Sequence, residues 1–344
     1  MKNWHLPPPW WRFFILTLLV LGIFFRFVNI DKKVYWHDEV YTSIRISGYT
    51  GDEVGREIFT GQVIGAKELQ KYQQLSPEKG LDDTIKALAG HPEHPPLYYL
   101  MARMWVQLFG SSVAVIRSLS AIVSLLVFPC IYWLCWELFH SGAFPCRRNT
   151  LLPKLHSKIA DFSPPAPHLP SSPSPQLPIS PAPPSVGWIA IALLSISPFY
   201  ILYAQEARQY SLWTVTILLA NAALMRAIRL NNSSSWIVYA TALLLGLYTS
   251  LFSVLGAIGQ GIYVVTIENF RWTQTVKNYL LASLIAIIAF VPWILLTIYN
   301  WESLQQNTTW TNMPMPRWLL MFIWLLNLSN IFVDLIFPFN HPFT

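Results

Sequence analysis

The sequence predicts an all-α polytopic membrane protein: a bundle of about eight transmembrane helices with a large outer first loop that carries interfacial helices. Hydrophobic residues make up 53% of the 344 residues and charged residues only 12%, about half the charged fraction of soluble domains. Several uncharged apolar runs reach the roughly 20 residues that a helix needs to cross the hydrocarbon core. A soluble globular domain is therefore excluded.

The charged residues are distributed unevenly along the chain. Residues 31–95 hold 11 of the 17 acidic and 8 of the 23 basic residues, whereas most other bases form short clusters at predicted helix ends. This is the positive-inside pattern of membrane proteins, so the net charge of +6 does not indicate nucleic-acid binding. We expect a multi-pass protein of the plasma (inner) membrane, with residues 31–95 on the periplasmic, outer side.

Transmembrane helices are expected in six apolar runs and in one longer run. The run 236–267 has 32 residues without a charge, too many for one crossing, and basic clusters lie on both sides of it. We therefore predict a tight hairpin that turns near 248–250. The other predicted spans are 10–30, 118–139, 187–203, 210–228, 279–299 and 317–338.

The segment 96–109 resembles a span, but it is short for a crossing and carries Arg103 in its middle. We interpret it as a helix that lies in the membrane interface. The chain then divides into an N-terminal region with the first span (1–30), an outer loop (31–117) and a transmembrane bundle (118–344). Arg117 would lie at the outer mouth of the second span.

A proline-rich stretch interrupts the bundle. Ten of the residues 163–184 are proline and none is charged, which is typical of a structureless, polyproline-type segment. We predict a cytosolic insertion over 145–185, and a ligand for an SH3-type domain is the alternative to a simple linker.

Two arginines lie in or near the first predicted span. Arg12 and Arg26 are interpreted as snorkelling side chains that reach for the interface, and the same interpretation stays open for Arg117. Glu137 and Asp334 lie near the ends of other spans and receive no role.

The first candidate site opens the outer loop. If a helix begins at Asp38, then Asp38, Tyr41 and Arg45 share one face, because they are three and seven residues apart. Glu39 points about 100° away on such a helix, so the two carboxylates are expected to do different work. Helix capping and favourable interaction with the helix dipole are the structural alternatives for these acids.

Two further segments are candidates. His91, Glu93 and His94 suggest a metal site, but the prolines between them prevent a helix from presenting metal ligands four residues apart. The structural alternative is that this segment is a rigid entry into the 96–109 helix. Between two spans, Glu206 and Arg208 lie at the outer side, where ionisable residues indicate function. On a continuous helix Tyr203, Glu206 and Tyr210 would share a face, and an interfacial turn is the alternative.

These motifs together resemble the GT-C superfamily of integral-membrane glycosyltransferases. The similarity is greatest to bacterial family 39 proteins, which are related to protein O-mannosyltransferases and to the lipid A aminoarabinose transferase. It covers residues 10–300 and rests on the order and spacing of short motifs. These are Asp38-Glu39, His94-Pro95-Pro96-Leu97, Arg117 and the segment Gln205-Glu206-Ala207-Arg208-Gln209-Tyr210.

The resemblance implies an inverting transferase that takes a sugar from a polyprenyl-phosphate donor and passes it to a hydroxyl of a protein, lipid or glycan. It implies that Asp38 is the base and that Glu39 orients the donor or acceptor. Arg117 and Arg208 would contact phosphate. His94 would assist them, Glu206 would hold an arginine or the sugar, and Tyr41 and Tyr210 complete the expected donor site. No metal ligand is assigned, and a divalent cation is left open as a cofactor.

Three alternatives remain at this stage. A lipid or sugar transporter, or flippase, would also be polytopic, although transporters tend to carry internal repeats and paired broken helices, and neither is evident here. A non-catalytic membrane scaffold is another. Members of the family usually continue well past 344 residues, so we expect a truncated member, and an inactive truncated transferase is the third alternative.

Overall fold

The computed structural model describes residues 9–139, 183–309 and 315–331, and every long regular element in these ranges is an α-helix. The first range contains α1 (Pro9–Phe27), α2 (His37–Ile46), α3 (Gly51–Ile58), α4 (Ala66–Gln70), α5 (Leu81–Ala89), α6 (Leu97–Phe109), α7 (Val113–Leu125) and α8 (Val127–Phe139). The others contain α9 (Pro183–Ile196), α10 (Pro198–Ala204), α11 (Tyr210–Leu230), α12 (Ser233–Thr249), α13 (Ser253–Ile267), α14 (Gln274–Tyr299), α15 (Trp301–Asn307) and α16 (Arg317–Asn330).

Several of these helices are long and apolar enough to cross a membrane. Within the described ranges they are α1, the pair α7 and α8 taken together, α11 and α14, and the bent pair α9–α10 adds a fifth if it forms one span. Helices α13 and α16 are apolar but shorter. The proline-rich insertion up to residue 182 and the predicted span beyond residue 331 lie outside the described residues.

The long uncharged run 236–267 folds as the predicted hairpin. Helix α12 ends at Thr249 and α13 begins at Ser253. Near the turn the Ser253 hydroxyl donates to the Gly246 carbonyl at 2.8 Å, and farther away the Tyr239 hydroxyl donates to Gln260 at 2.9 Å. These contacts show that the two helices run antiparallel, and they satisfy polar groups in an apolar bundle.

The bend of 62° between α9 and α10 has a local cause and a distant partner. Pro198 has no N–H, so the Leu194 carbonyl loses its helical donor. Arg26 replaces it, because its guanidinium donates to Leu194 O at 3.2 Å, to Ser195 O at 2.8 Å and to Gly22 O at 2.7 Å. Arg26 is fully buried, so the snorkelling interpretation of this residue was wrong.

Residues 31–109, most of the predicted outer loop, fold into short helices as expected, and Arg103 of α6 connects several of them. The Arg103 guanidinium donates to the Ile46 carbonyl and the Thr84 hydroxyl, both at 2.7 Å, and to the Lys79 carbonyl at 2.6 Å. Helix α6 has 13 residues, about 20 Å, which is too short for a crossing. Its outward face is apolar, with Met104, Leu108 and Phe109 exposed.

At the opposite end of the bundle Glu137 is buried and joins two long helices. Its carboxylate accepts hydrogen bonds from Arg229 Nε at 2.8 Å and from Trp133 Nε1 at 3.0 Å. Glu137, which received no role from the sequence, therefore connects α8 to α11.

Candidate functional site

Asp38 lies in the first turn of α2, which begins at His37. An acid in this position interacts favourably with the positive end of the helix dipole. The Asp38 Oδ2 atom lies 3.5 Å from a terminal guanidinium nitrogen of Arg208, and the Asp38 side chain is 32% exposed. Asp38 is therefore a carboxylate that is paired with a cation and still open to a substrate.

Glu39 has the opposite environment, because it is completely buried. Its Oε1 accepts hydrogen bonds from Arg117 Nε and from the backbone N–H of Ala207, both at 2.8 Å. Its Oε2 accepts a second bond from Arg117 at 2.7 Å. The neighbouring carboxylates thus face different surroundings, as their angular separation on a helix predicts, and Glu39 joins α2 to α7 and to the turn before α11.

Arg117 lies in the first turns of α7. Helix α7 begins at Val113, so Arg117 is one turn inside it and fully buried. Besides its two bonds to Glu39, its guanidinium donates to three backbone carbonyls within 30–34, at 2.8 to 2.9 Å. These bonds use all five guanidinium N–H groups. The expectation that Arg117 contacts phosphate is contradicted by this geometry, and its role is to hold the chain that enters α2.

The segment 205–209 is a turn between α10 and α11. Tyr203, Glu206 and Tyr210 therefore do not lie on one continuous helix, although the rings of Tyr203 and Tyr210 are 4.8 Å apart. The Gln205 side-chain amide donates to the Phe25 carbonyl at 2.7 Å, and this bond connects the turn to the C-terminal end of α1.

Glu206 contacts Lys33 rather than an arginine. The Lys33 ammonium lies 2.5 Å from Glu206 Oε1, and the other carboxylate oxygen is buried without a hydrogen-bond partner. Burial raises the pKa of Glu206, and the charge of Lys33 opposes that rise. No sequence pattern indicates this pair, because its members are 173 residues apart.

Within the turn 205–209, Arg208 is the cation that faces Asp38. Its guanidinium is buried and donates to the Tyr99 hydroxyl at 3.2 Å, with Thr42 Oγ1 at 3.4 Å. The Tyr210 ring centroid is 5.8 Å away. The Arg208 Nε is buried and has no hydrogen-bond partner in the structure.

Arg45 lies on the same face of α2 as Asp38 and Tyr41, as the helical spacing predicts. It is buried, its guanidinium carbon lies 5.4 Å from the Tyr41 ring centroid, and its Nε also lacks a hydrogen-bond partner. Burial lowers the pKa of Arg45, and so does the charge of Arg208. Sequence reasoning placed Arg45 on this face but did not assign it to the site.

His94 borders the two arginines. The pKa of its imidazole is well below the usual value of 6.5, first because it is buried and then because Arg45 and Arg208 repel a positive charge. Its Nδ1 is buried without a partner, and its ring centroid lies 5.9 Å from that of Tyr99. His94 is therefore neutral at pH 7 and has one ring nitrogen available.

Glu93 was not assigned to the site by the sequence. Its Oε1 lies 3.3 Å from His91 Nδ1 and 3.9 Å from His94 Nε2, and its Oε2 is buried without a partner. Helix α14 fixes this segment, since Trp293 Nε1 donates to the Pro92 carbonyl at 3.1 Å. Even so, the described residues contain no group of three or more metal-binding side chains that could hold an ion.

Four buried polar atoms without partners therefore belong to one region: Arg45 Nε, Glu93 Oε2, His94 Nδ1 and Arg208 Nε. Unsatisfied buried groups cost about 1–3 kcal/mol each, and they concentrate where a ligand completes the hydrogen bonding. Two guanidinium groups and a neutral imidazole in this region can donate to an anionic ligand, and the carboxylates of Asp38 and Glu93 beside them can accept a hydrogen bond or a proton.

Comparisons with known proteins leave this site without a counterpart. No family model, no curated protein and no solved structure matches the chain. The functional conclusion therefore depends on the geometry around Asp38 and Arg208.

Proposed function

We propose that this chain is a membrane glycosyltransferase that moves a sugar from a polyprenyl-phosphate donor to a hydroxyl acceptor, with inversion at the anomeric carbon. The observation that carries the proposal is the pairing of the half-exposed Asp38 carboxylate with Arg208, beside Arg45 and His94. A base and a cluster of phosphate-binding groups then lie at one end of an apolar helical bundle, where a lipid-borne substrate presents its polar part.

The proposed reaction uses Asp38 as the general base. The acceptor hydroxyl gives its proton to the Asp38 carboxylate while its oxygen forms a bond to the anomeric carbon from the face opposite the phosphate. The bond between that carbon and the phosphate oxygen breaks, and the electron pair leaves with the polyprenyl phosphate. Arg208 and Arg45 stabilise the charge that develops on the phosphate, an effect typically worth about 2.7–4 kcal/mol for one preorganised donor.

The other residues prepare the site in this proposal. Glu39 and Arg117 are positioning residues, because they are fully buried and occupied with each other. Lys33 and Glu206 fix the turn that presents Arg208. His94 donates or accepts one hydrogen bond to the donor, and Tyr41 and Tyr210 border the two arginines, where their rings can contact the sugar.

The proposed topology has about eight spans and places the site on the periplasmic side of the plasma membrane. Basic residues at the opposite ends of the helices, such as Arg229 and Lys277, support it through the positive-inside rule. Reporters fused at Gly61 and at Asn232 test this arrangement. We expect the first to read periplasmic and the second cytosolic, and the reverse would overturn the proposed side of the site.

The activity is tested with the full chain in proteoliposomes that contain a polyprenyl-phosphate-linked labelled sugar. We expect the label to appear in a covalent product with a hydroxyl acceptor, and a nucleotide sugar to give no product. Movement of intact donor across the bilayer without transfer would instead support a transporter and overturn the proposal. Absence of both would favour an inactive chain.

A further inference from the structure

A cavity lies at the end of the bundle away from Asp38. It has a volume of about 620 Å³ and lies between α12 and α14, where both helices begin. Helix α11 starts next to the candidate site and ends at this cavity after 21 residues, a distance of about 30 Å. The cavity is within the size range of small-ligand sites and is separate from the proposed transfer site.

The mouth of the cavity is lined by side-chain amides that are already organised. The Gln274 amide donates to Asn278 Oδ1 at 2.8 Å, and the Asn278 amide donates to Asn231 Oδ1 at 3.0 Å. Trp236 Nε1 donates to the same Asn231 oxygen at 3.1 Å. The mouth therefore presents polar groups in fixed positions at the level where the two helices start.

The rest of the cavity is an apolar groove that is open to the outside of the bundle. Ile237 of α12 and Leu281 and Ile285 of α14 form its exposed walls, and the small Ala240 and Ala282 lie at its base. Small residues at a helix pair leave a concave surface in a membrane protein. A polar mouth followed by an apolar groove along the helices has the same polarity gradient as a lipid molecule.

The charge around the mouth selects the type of lipid. Residues 268–278, which lie beside it, contain the cations Arg271 and Lys277 and a single acid, Glu268, whereas Arg226 and Arg229 at the end of α11 face Glu137. Lys277 is exposed next to the amide-bearing Asn278. Basic groups between transmembrane helices on the cytosolic side are typical of sites for anionic headgroups.

We propose that this groove binds one anionic phospholipid. Its phosphate accepts hydrogen bonds from the amides of the mouth and contacts Lys277, and one acyl chain lies along the groove between α12 and α14. A second copy of the chain fits less well, because a helix in the groove would cover the polar mouth and the exposed Lys277 beside it.

The proposal is tested by native mass spectrometry of the delipidated full chain, titrated with phosphatidylglycerol or phosphatidylcholine. Ile285 and Leu284 form a matched pair, since both are 52% exposed but only Ile285 lines the groove. We expect Ile285→Trp to weaken phosphatidylglycerol binding about tenfold, the loss expected when roughly two methylene groups leave the groove. Leu284→Trp should bind as the wild type does.

The headgroup is tested separately with Lys277→Gln. We expect the wild type to prefer phosphatidylglycerol over phosphatidylcholine and the variant to lose most of that preference. Equal binding by the two tryptophan variants, or no preference in the wild type, would overturn the proposal. So would a cross-linker at position 281 that captures a second copy or another part of this chain instead of lipid.

Discussion

The Arg117 guanidinium holds the Glu39 carboxylate with two hydrogen bonds, of 2.8 Å from Nε and 2.7 Å from the terminal nitrogen. Both side chains are completely excluded from solvent. The pair joins the outer loop to α7, and through Ala207 it also fixes the turn that carries Arg208. The proposed site therefore depends on two charged residues that no substrate can reach.

Breaking this pair should unfold the outer loop rather than weaken donor binding alone. Arg117→Leu leaves Glu39 as an unpaired buried charge, and such a change typically costs about 3–5 kcal/mol. We expect a large drop in the thermal unfolding temperature of the purified chain. Asp31→Asn, which removes an exposed pair with Lys32, is the control and should unfold as the wild type does. An Arg117→Leu chain of normal stability with only a raised donor KM would restore the phosphate role.

Arg208 should act on the transfer step. We expect Arg208→Gln to lower kcat about 10²–10³-fold, because one preorganised donor to the leaving phosphate is removed. Arg45→Gln should change kcat in the same direction. Arg56→Gln, an exposed cation on the same loop, serves as the control, and equal activity of Arg208→Gln and Arg56→Gln would argue against phosphate contact.

His94 should make stability depend on pH. Its pKa is lowered on folding, so below about pH 6.5 the unfolded chain binds a proton that the folded chain does not. This contribution to stability is complete above that pH and is lost as the pH falls. We expect the unfolding temperature of the wild type to fall more steeply from about pH 7.5 to 5.5 than that of His94→Gln. The exposed His37→Gln is the control, and equal slopes for all three would refute the burial argument.

Arg26 should determine the bend between α9 and α10. Arg26→Met leaves the Leu194 and Ser195 carbonyls without donors, at about 1–3 kcal/mol for each unpaired group. We expect a lower unfolding temperature and faster proteolysis next to the turn 205–209. Arg317→Met, at an exposed cation of α16, should have no such effect. Unchanged stability of Arg26→Met would return this residue to a snorkelling role.

The sequence was informative where local geometry decides the outcome. The 3.6-residue period placed Asp38, Tyr41 and Arg45 on one face of α2, and the length of the uncharged run predicted the hairpin of α12 and α13. Both rest on the geometry of a single helix or of the bilayer. The number of spans and the side of the membrane remain predictions.

Sequence reasoning failed for side chains whose hydrogen-bond partners lie far away along the chain. Arg26 and Arg117 looked like interfacial cations, but Arg26 donates to backbone carbonyls and Arg117 to the distant Glu39 and to three carbonyls. Neither kind of partner leaves a signature in the local sequence. Glu206 meets Lys33 across 173 positions. The segment 205–209, for which an interfacial turn was left open as the alternative, forms a turn in which Gln205, Glu206 and Ala207 each bond to groups outside it. Such contacts follow from packing and not from local propensity.

The most direct measurement of the proposed chemistry is sugar transfer by Asp38→Asn in proteoliposomes that contain the lipid-linked donor. Asparagine preserves the shape of the side chain and removes its basicity, so kcat should fall about 10²–10⁴-fold, while donor binding stays within a few-fold of the wild type. Asp31→Asn, at a 49% exposed acid paired with Lys32, should transfer sugar normally. Unchanged turnover by Asp38→Asn would contradict its role as the base.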